Sequence, residues 1–374
     1  MIKPPSSIPK STHDYYRSLL NARRQLFNSQ GRPQLAVSML ERTYSQTIQA
    51  IQHDFKSDII TKQRAEALTK QIKARLNQMN SNFDSIIGNQ QRRAMHIAVQ
   101  AHKRGTISAY KNANKTMGIQ IAWDRVPQKA LEAMNIKRGL STHYDFRTLM
   151  RRRITDMQKE VDTFMQTVVA RGVAADRASA ELATMMGSRD PQTQAVLKRN
   201  ANIKLDRNAL NKAFTNGDLN QGDYKQLQSL MYDARRIVIS EVNTGFREAN
   251  TIAAYNSPVV GYLKWDTSSI HSHFDVCDIY AEDDQFDLGP GIYPIGNFPA
   301  SAHPFCACYG ESVLRRPKDW NKPTPPAQKP PILEYSQFEG KFNTKNELHR
   351  QVDIANEWNR KAYQYAKDTG LSIN

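Results

Sequence analysis

The sequence predicts a mainly α protein in which an extended helical bundle precedes a small α+β module and a C-terminal helix. Three observations support this fold class. Apolar residues recur at three- and four-residue steps over long stretches of the 374-residue chain. A run of β-type residues follows the most regular of these stretches, and all three cysteines fall between residues 277 and 308, just after that run.

The sequence predicts a basic helical region at residues 1–130. They carry 21 basic against 7 acidic residues, which gives +14 of the chain's net charge of +16. The basic residues are spread over several predicted helices, so they do not form a disordered tail. Such a region attracts phosphate backbones or acidic protein faces, although a solvated helical surface explains the charge equally well. The first apolar stripe consists of Val37, Leu40, Tyr44, Ile48 and Ile51.

Residues 131–222 predict a second helical region, whose helical spacing of Met and Phe residues continues until Gly172. Residues 223–315 predict a module that begins with a strongly amphipathic helix, ended by Pro258. The β-type residues 259–265 then predict a strand. Residues 316–374 predict a Pro-rich linker and a polar helix from about Lys345 to Asp368.

Composition excludes several classes of protein. With 24% charged and 9% aromatic residues, the chain is neither collagen-like nor disordered throughout. No run approaches the roughly 18 apolar residues of a membrane span, and the N-terminus lacks the apolar core of a signal peptide. Three cysteines are an odd and low number for a disulfide framework, so they indicate a reducing compartment, such as a cytoplasm, or a metal site.

The cysteines and nearby histidines form a pattern typical of a zinc site. Cys277 is followed by His303, Cys306 and Cys308, and His271 precedes them. Thiolates and imidazoles suit Zn²⁺, and alternate residues such as Cys306 and Cys308 can face one ion. We therefore predict a structural Zn²⁺ that orders a segment with little apolar core of its own.

Alternatives remain open at this site. The three cysteines can be thiols that are close only in sequence. His271 and His273 compete for a further ligand position, and Asp275 or Asp278 can orient a ligand imidazole.

Patterns typical of catalysis are missing from the sequence. It has no Gly-x-Ser-x-Gly, no His-Glu-x-x-His, no Walker loop and no dinucleotide fingerprint. We assign no catalytic residue and expect a structural protein. The alternative is a zinc-dependent hydrolase or nuclease with three protein ligands, an open metal position and Asp275 or Asp278 as base.

Three stretches around the cysteines resemble a known family. They read HSHFDVCD at 271–278, LGPGIYP at 288–294 and PASAHPFCAC at 299–308. They are similar to the His-Pro-x-x-Asp-x-Cys-Asp, Leu-Gly-Pro-Gly-Val-Tyr-Pro and Pro-x-His-Pro-x-Cys-Arg-Cys segments of tailed-phage minor head proteins, the head morphogenesis or Mu F-like family. The helix at 236–250 also resembles the family's helix before this module. Ser272 replaces the usual Pro and Ala307 the usual Arg.

The resemblance implies a virion protein that acts in head morphogenesis near the portal, present in the host cytoplasm during assembly. Expected partners are the portal or other capsid proteins, with nonspecific DNA contact through the basic helical region. No membrane and no small-molecule substrate are expected.

Overall fold

The computed structural model describes residues 12–27, 32–55, 60–139, 146–172, 174–185, 221–268, 271, 274–299 and 306–373, with some side chains inside these ranges left undescribed. This part of the chain contains nine α-helices and one three-stranded sheet. A long helical region precedes the cysteine-containing module and a C-terminal helix, which confirms the predicted fold class.

Seven of the nine described helices precede the first strand. Their bounds are α1 His13–Phe27, α2 Arg32–Asp54, α3 Lys62–Asn112, α4 Val126–Gly139, α5 Phe146–Arg171, α6 Ala175–Met185, α7 Gln221–Asn256, α8 Val276–Glu282 and α9 Lys345–Thr369. The strands are β1 Val260–Asp266, β2 Ile292–Pro294 and β3 Tyr309–Leu314.

Two compact units share the chain. One comprises Met1–Leu35, Gly88–Tyr144 and Val238–Asn374, and the other comprises Ala36–Ile87 and Asp145–Ile237. Both units combine segments that are distant in sequence, whereas the sequence-based division followed the chain in four consecutive stretches. That division stays a prediction.

The unit of Ala36–Ile87 and Asp145–Ile237 is helical in its described part, with a core built from helical stripes. Of the predicted stripe in α2, Leu40, Tyr44, Ile48 and Ile51 are buried and Val37 is half-buried, and α3 and α5 bury similar stripes. The predicted helical spacing that continues until Gly172 agrees with the end of α5 at Arg171, since the Gly172 φ of 62° favours glycine and ends the helix.

The other unit contains the module, with α7 beside an antiparallel sheet of order β2-β1-β3. From Val238 to Ala254, all but two residues of α7 are buried, including several polar ones. The helix ends at Asn256, before Pro258, and β1 starts at Val260, close to the predicted strand. Thr344 caps the N-terminus of α9, where its side chain accepts a hydrogen bond from the Glu347 backbone N–H, and Gly370 is the C-cap residue.

An aromatic core corrects one expectation about the module. The segment around the cysteines was expected to have little apolar core, but Trp265 is fully buried with Tyr280 and Phe298 against it at ring-centroid distances of 4.9 and 5.4 Å. Tyr293 packs edge-on against Phe298. The module therefore has hydrophobic stabilisation in addition to anything a metal provides.

The Pro-rich stretch after β3 packs against other parts of its unit. Trp320 is 2% exposed and its ring lies against Tyr110 at 4.8 Å. Asn297 donates to the Gln328 carbonyl and accepts from the Gln328 N–H. These contacts fix the path of the chain from β3 to α9.

Candidate metal centre

The three cysteines converge in the interior of the module. Their Sγ atoms all lie within 4.8 Å of one another, and the Cys277 and Cys306 sulfurs are 3.4 Å apart. Each cysteine is at most 1% exposed, and none forms a disulfide. Sulfurs about 2.3 Å from a tetrahedral Zn²⁺ stand about 3.8 Å apart, so the donor set and its spacing fit a zinc ion.

Local structure at the start of α8 places Cys277. Asp275 is the N-cap residue, and its carboxylate accepts from the Cys277 backbone N–H at 2.7 Å. The Asp278 carboxylate accepts from the Asp275 N–H at 2.8 Å, which completes a capping box. The two aspartates therefore fix the first turn that carries the Cys277 sulfur.

Two side chains of α7 hold the segment that carries the other cysteines. The Asn243 amide donates to the Cys306 carbonyl at 2.7 Å. The Arg247 guanidinium donates to the Cys308 carbonyl at 2.9 Å. These bonds attach the backbone just before β3 to a buried helix. They thereby hold the Cys306 and Cys308 sulfurs near Cys277.

Arg247 also provides a buried positive charge beside the sulfurs. Its Nη1 lies 3.0 Å from the Cys306 Sγ, and the residue is 2% exposed. Burial lowers the pKa of Arg247, but the nearby Cys306, Cys277 and Cys308 outweigh that effect, so the pKa is raised. A buried guanidinium requires negative charge nearby, and the three cysteines would supply it as thiolates once a metal displaces their protons.

The thiols themselves resist ionisation in the absence of a cation. Burial raises the pKa of Cys277 well above its ordinary value, and its hydrogen bond with Cys306 adds to this. A hydrogen bond with Cys277 lowers the pKa of Cys308, but the bond with Cys306 and burial raise it overall to about 12. A metal that binds here must therefore displace thiol protons, and its affinity falls as the pH falls.

The histidines have different outcomes. His271 belongs to a separate group with two carboxylates: its Nε2 lies 2.6 Å from an Asp278 oxygen and 3.8 Å from an Asp275 oxygen. This pairing can orient an imidazole, as considered from the sequence. His303 and His273 lie outside the described residues. Three of the five predicted ligands are thus brought together, and the assignment of a histidine ligand stays a prediction.

Sequence reasoning gave no role to Asn243 and Arg247. A signal was available, because Asn243, Arg247 and Asn250 recur at helical spacing on one face of a strongly amphipathic helix, and all three are buried. Buried polar residues on such a face need partners, and here the partners are the cysteine-bearing segment and β3.

Fold and site define a mainly helical protein with a buried three-cysteine centre that could bind a metal. Comparison of the chain with known protein families, curated proteins and solved structures found no match. In the described part of the chain, no helix combines the length and apolar character needed to cross a membrane.

Proposed function

We propose that this protein is a phage minor head protein that acts in head morphogenesis near the portal, with a module held in shape by a structural Zn²⁺. The observation that carries the proposal is the convergence of three buried cysteines in the segment that resembles the minor head family. Cys277, Cys306 and Cys308 supply thiolates, and His303 or His271 supplies the fourth donor.

Charge supports this ligand set. One Zn²⁺, three thiolates and one neutral histidine sum to a charge of −1, which the Arg247 guanidinium balances. A buried centre that is neutral overall avoids the large desolvation penalty of an isolated charge.

Burial favours a structural role over catalysis. All three sulfurs are covered, as in closed four-ligand zinc sites, whereas catalytic zinc keeps a position open to water and substrate. The carboxylates of Asp275 and Asp278, considered as bases for a hydrolase or nuclease, both accept backbone N–H groups at the start of α8. A zinc hydrolase is the second candidate function, and a water molecule among the zinc ligands would favour it.

The proposed partners are the portal or other capsid proteins and nonspecific DNA. The charge of +14 on residues 1–130 supports DNA contact. The protein would act in the virion, after assembly in the host cytoplasm.

Metal analysis of the purified full chain tests the zinc centre. We expect one zinc per chain in the wild type and in Ala307→Ser, a control that alters the residue between two cysteines. We expect loss of zinc from the Cys306→Ser/Cys308→Ser variant, because two of the donors are gone. Equal zinc content in all three proteins would contradict the centre.

Two further experiments complete the test. Loss of zinc from only one of His303→Ala and His271→Ala identifies the fourth donor. Mass spectrometry of purified virions tests the head assignment, which predicts a low-copy virion component. Absence of the chain from intact particles would contradict that assignment and leave the zinc centre unaffected.

A further inference from the structure

A polar groove runs between α1 and α3 in the unit that contains the module. Tyr15 of α1 packs against His102 of α3, and Asp14 accepts a hydrogen bond from Asn112, so the two helices are antiparallel. Ala22 and Ala101 are small and buried, and they leave room between the helices for this groove, which has a volume of about 420 Å³. The groove is therefore a product of close helix packing.

Basic and amide side chains line this groove. The long polar side chains that line it are Asn21, Gln25, Arg93, His96, Gln100 and Arg104. Among the described residues that line the groove, none is acidic. Arg93 and Arg104 are exposed, and within the described part of the chain neither forms an ion pair. The groove thus presents positive charge and hydrogen-bond donors without an internal counterion.

The two arginines are far enough apart to contact different phosphates of one strand. Gln100 and Arg104 follow Arg93 by seven and eleven residues, which is close to two and three helical turns. The three side chains therefore lie on one stripe of α3. At 1.5 Å per residue the two arginines are separated by about 16 Å along the helix. One strand of duplex DNA presents about five phosphates over that length.

We propose that this groove binds the phosphodiester backbone of duplex DNA, with Arg93 and Arg104 on phosphates at its two ends. Asn21, Gln25 and Gln100 donate to phosphate oxygens between them, as amide side chains commonly do. Contacts of this kind fix position and carry no sequence information, so the binding is nonspecific. The inference rests on the DNA contact in the proposed function and assigns that contact to a site.

Salt dependence of DNA binding by the full chain tests the groove. Each neutralised phosphate contributes about 0.9 to the slope of log K against log salt. We expect Arg93→Gln/Arg104→Gln to reduce the slope by about 2 and to weaken binding at least about tenfold at low salt. The matched control is Lys62→Gln/Lys70→Gln, which removes two exposed charges from α3 outside the groove. The control should change the slope by well under about 1.

The outcomes separate the groove from the proposed function. Equal slope changes in the two variants, or no change in the groove variant, would overturn the groove and leave DNA binding intact. Failure of the wild type to bind duplex DNA at low salt would overturn both. Polyglutamate that competes as well as DNA at equal charge would show a general polyanion surface and overturn the phosphodiester assignment. Unchanged helicity and zinc content in both variants verify that they are folded.

Discussion

Replacement of Arg247 by Met tests the charge balance of the metal centre. Met has a similar length and fits a buried position, but it removes the guanidinium 3.0 Å from the Cys306 sulfur. The bond to the Cys308 carbonyl at 2.9 Å is also lost. The three sulfur donors remain, so any change in metal affinity reports the contribution of the positive charge and its hydrogen bonds.

The expected effect follows from these contacts. A hydrogen bond from a charged donor contributes about 1.5–3 kcal/mol. Because about 1.4 kcal/mol corresponds to a tenfold change in affinity, Arg247→Met should weaken zinc binding roughly 10- to 100-fold. Residues that support metal ligands without binding the metal usually show losses of about this size.

Competition with a zinc chelator on the full chain measures this effect. Arg247→Lys should lie between Met and wild type, since it keeps the charge but loses the planar fork of donors. Arg316→Met is the matched control, because Arg316 is exposed and lies beyond β3. A zinc affinity of Arg247→Met within about twofold of wild type would refute the role of charge, given an expected loss of 10-fold or more.

Three further predictions concern the stability of the unit that contains the module. Burial lowers the pKa of His102 to about 4. As the pH falls from about 7, His102 is therefore protonated in the unfolded chain at a higher pH than in the folded protein. Stability should therefore fall by about 3 kcal/mol by pH 4, and chemical denaturation of His102→Gln should show a weaker pH dependence. The ion pair of Lys137 and Glu248, at 2.8 Å with both side chains at most 4% exposed, should make Lys137→Met destabilising by about 3–5 kcal/mol. The double variant Lys137→Met/Glu248→Leu should regain most of the lost free energy of unfolding, as measured by urea denaturation. A double variant as unstable as Lys137→Met would argue against an unpaired carboxylate as the cause of the loss. A Cβ at Gly310 would meet the Phe298 ring at 2.7 Å, so Gly310→Ala should lower the thermal midpoint through a loss of about 1–3 kcal/mol. An unchanged midpoint would contradict this packing.

Helical periodicity was sufficient to predict most of the secondary structure. Stripes such as Leu40 to Ile51 are buried in α2, and the helix before Pro258 ends at Asn256. These features depend on local rules, since side-chain direction repeats every 3.6 residues and proline disfavours helix at the residue before it. The strand β1 was predicted from another local rule, the preference of its β-type residues for strands.

Long-range packing was less accessible to sequence reasoning. The helix α9 is highly polar in sequence, yet it buries Leu348, Val352, Ala355 and Tyr365 along one face. Its Lys361 is fully buried, pairs with Glu357 and lies over the Trp358 ring. Long polar side chains can cover apolar surface in this way, so composition alone understates the core.

The candidate site likewise has one part that local sequence predicted and one part that depends on long-range packing. The clustered cysteines predicted a shared site, and they converge in space. The role of Arg247 was missed because it depends on α7 lying against a segment about 60 residues later in the chain. No local pattern encodes that contact, although a buried arginine on an amphipathic helix signals that a partner exists.

X-ray absorption at the zinc edge of the purified full chain tests the central claim most directly. The account predicts one zinc per chain with three sulfur donors at about 2.3 Å and one nitrogen donor at about 2.0 Å. A chain that retains no zinc, or a metal held only by oxygen and nitrogen atoms, would contradict it.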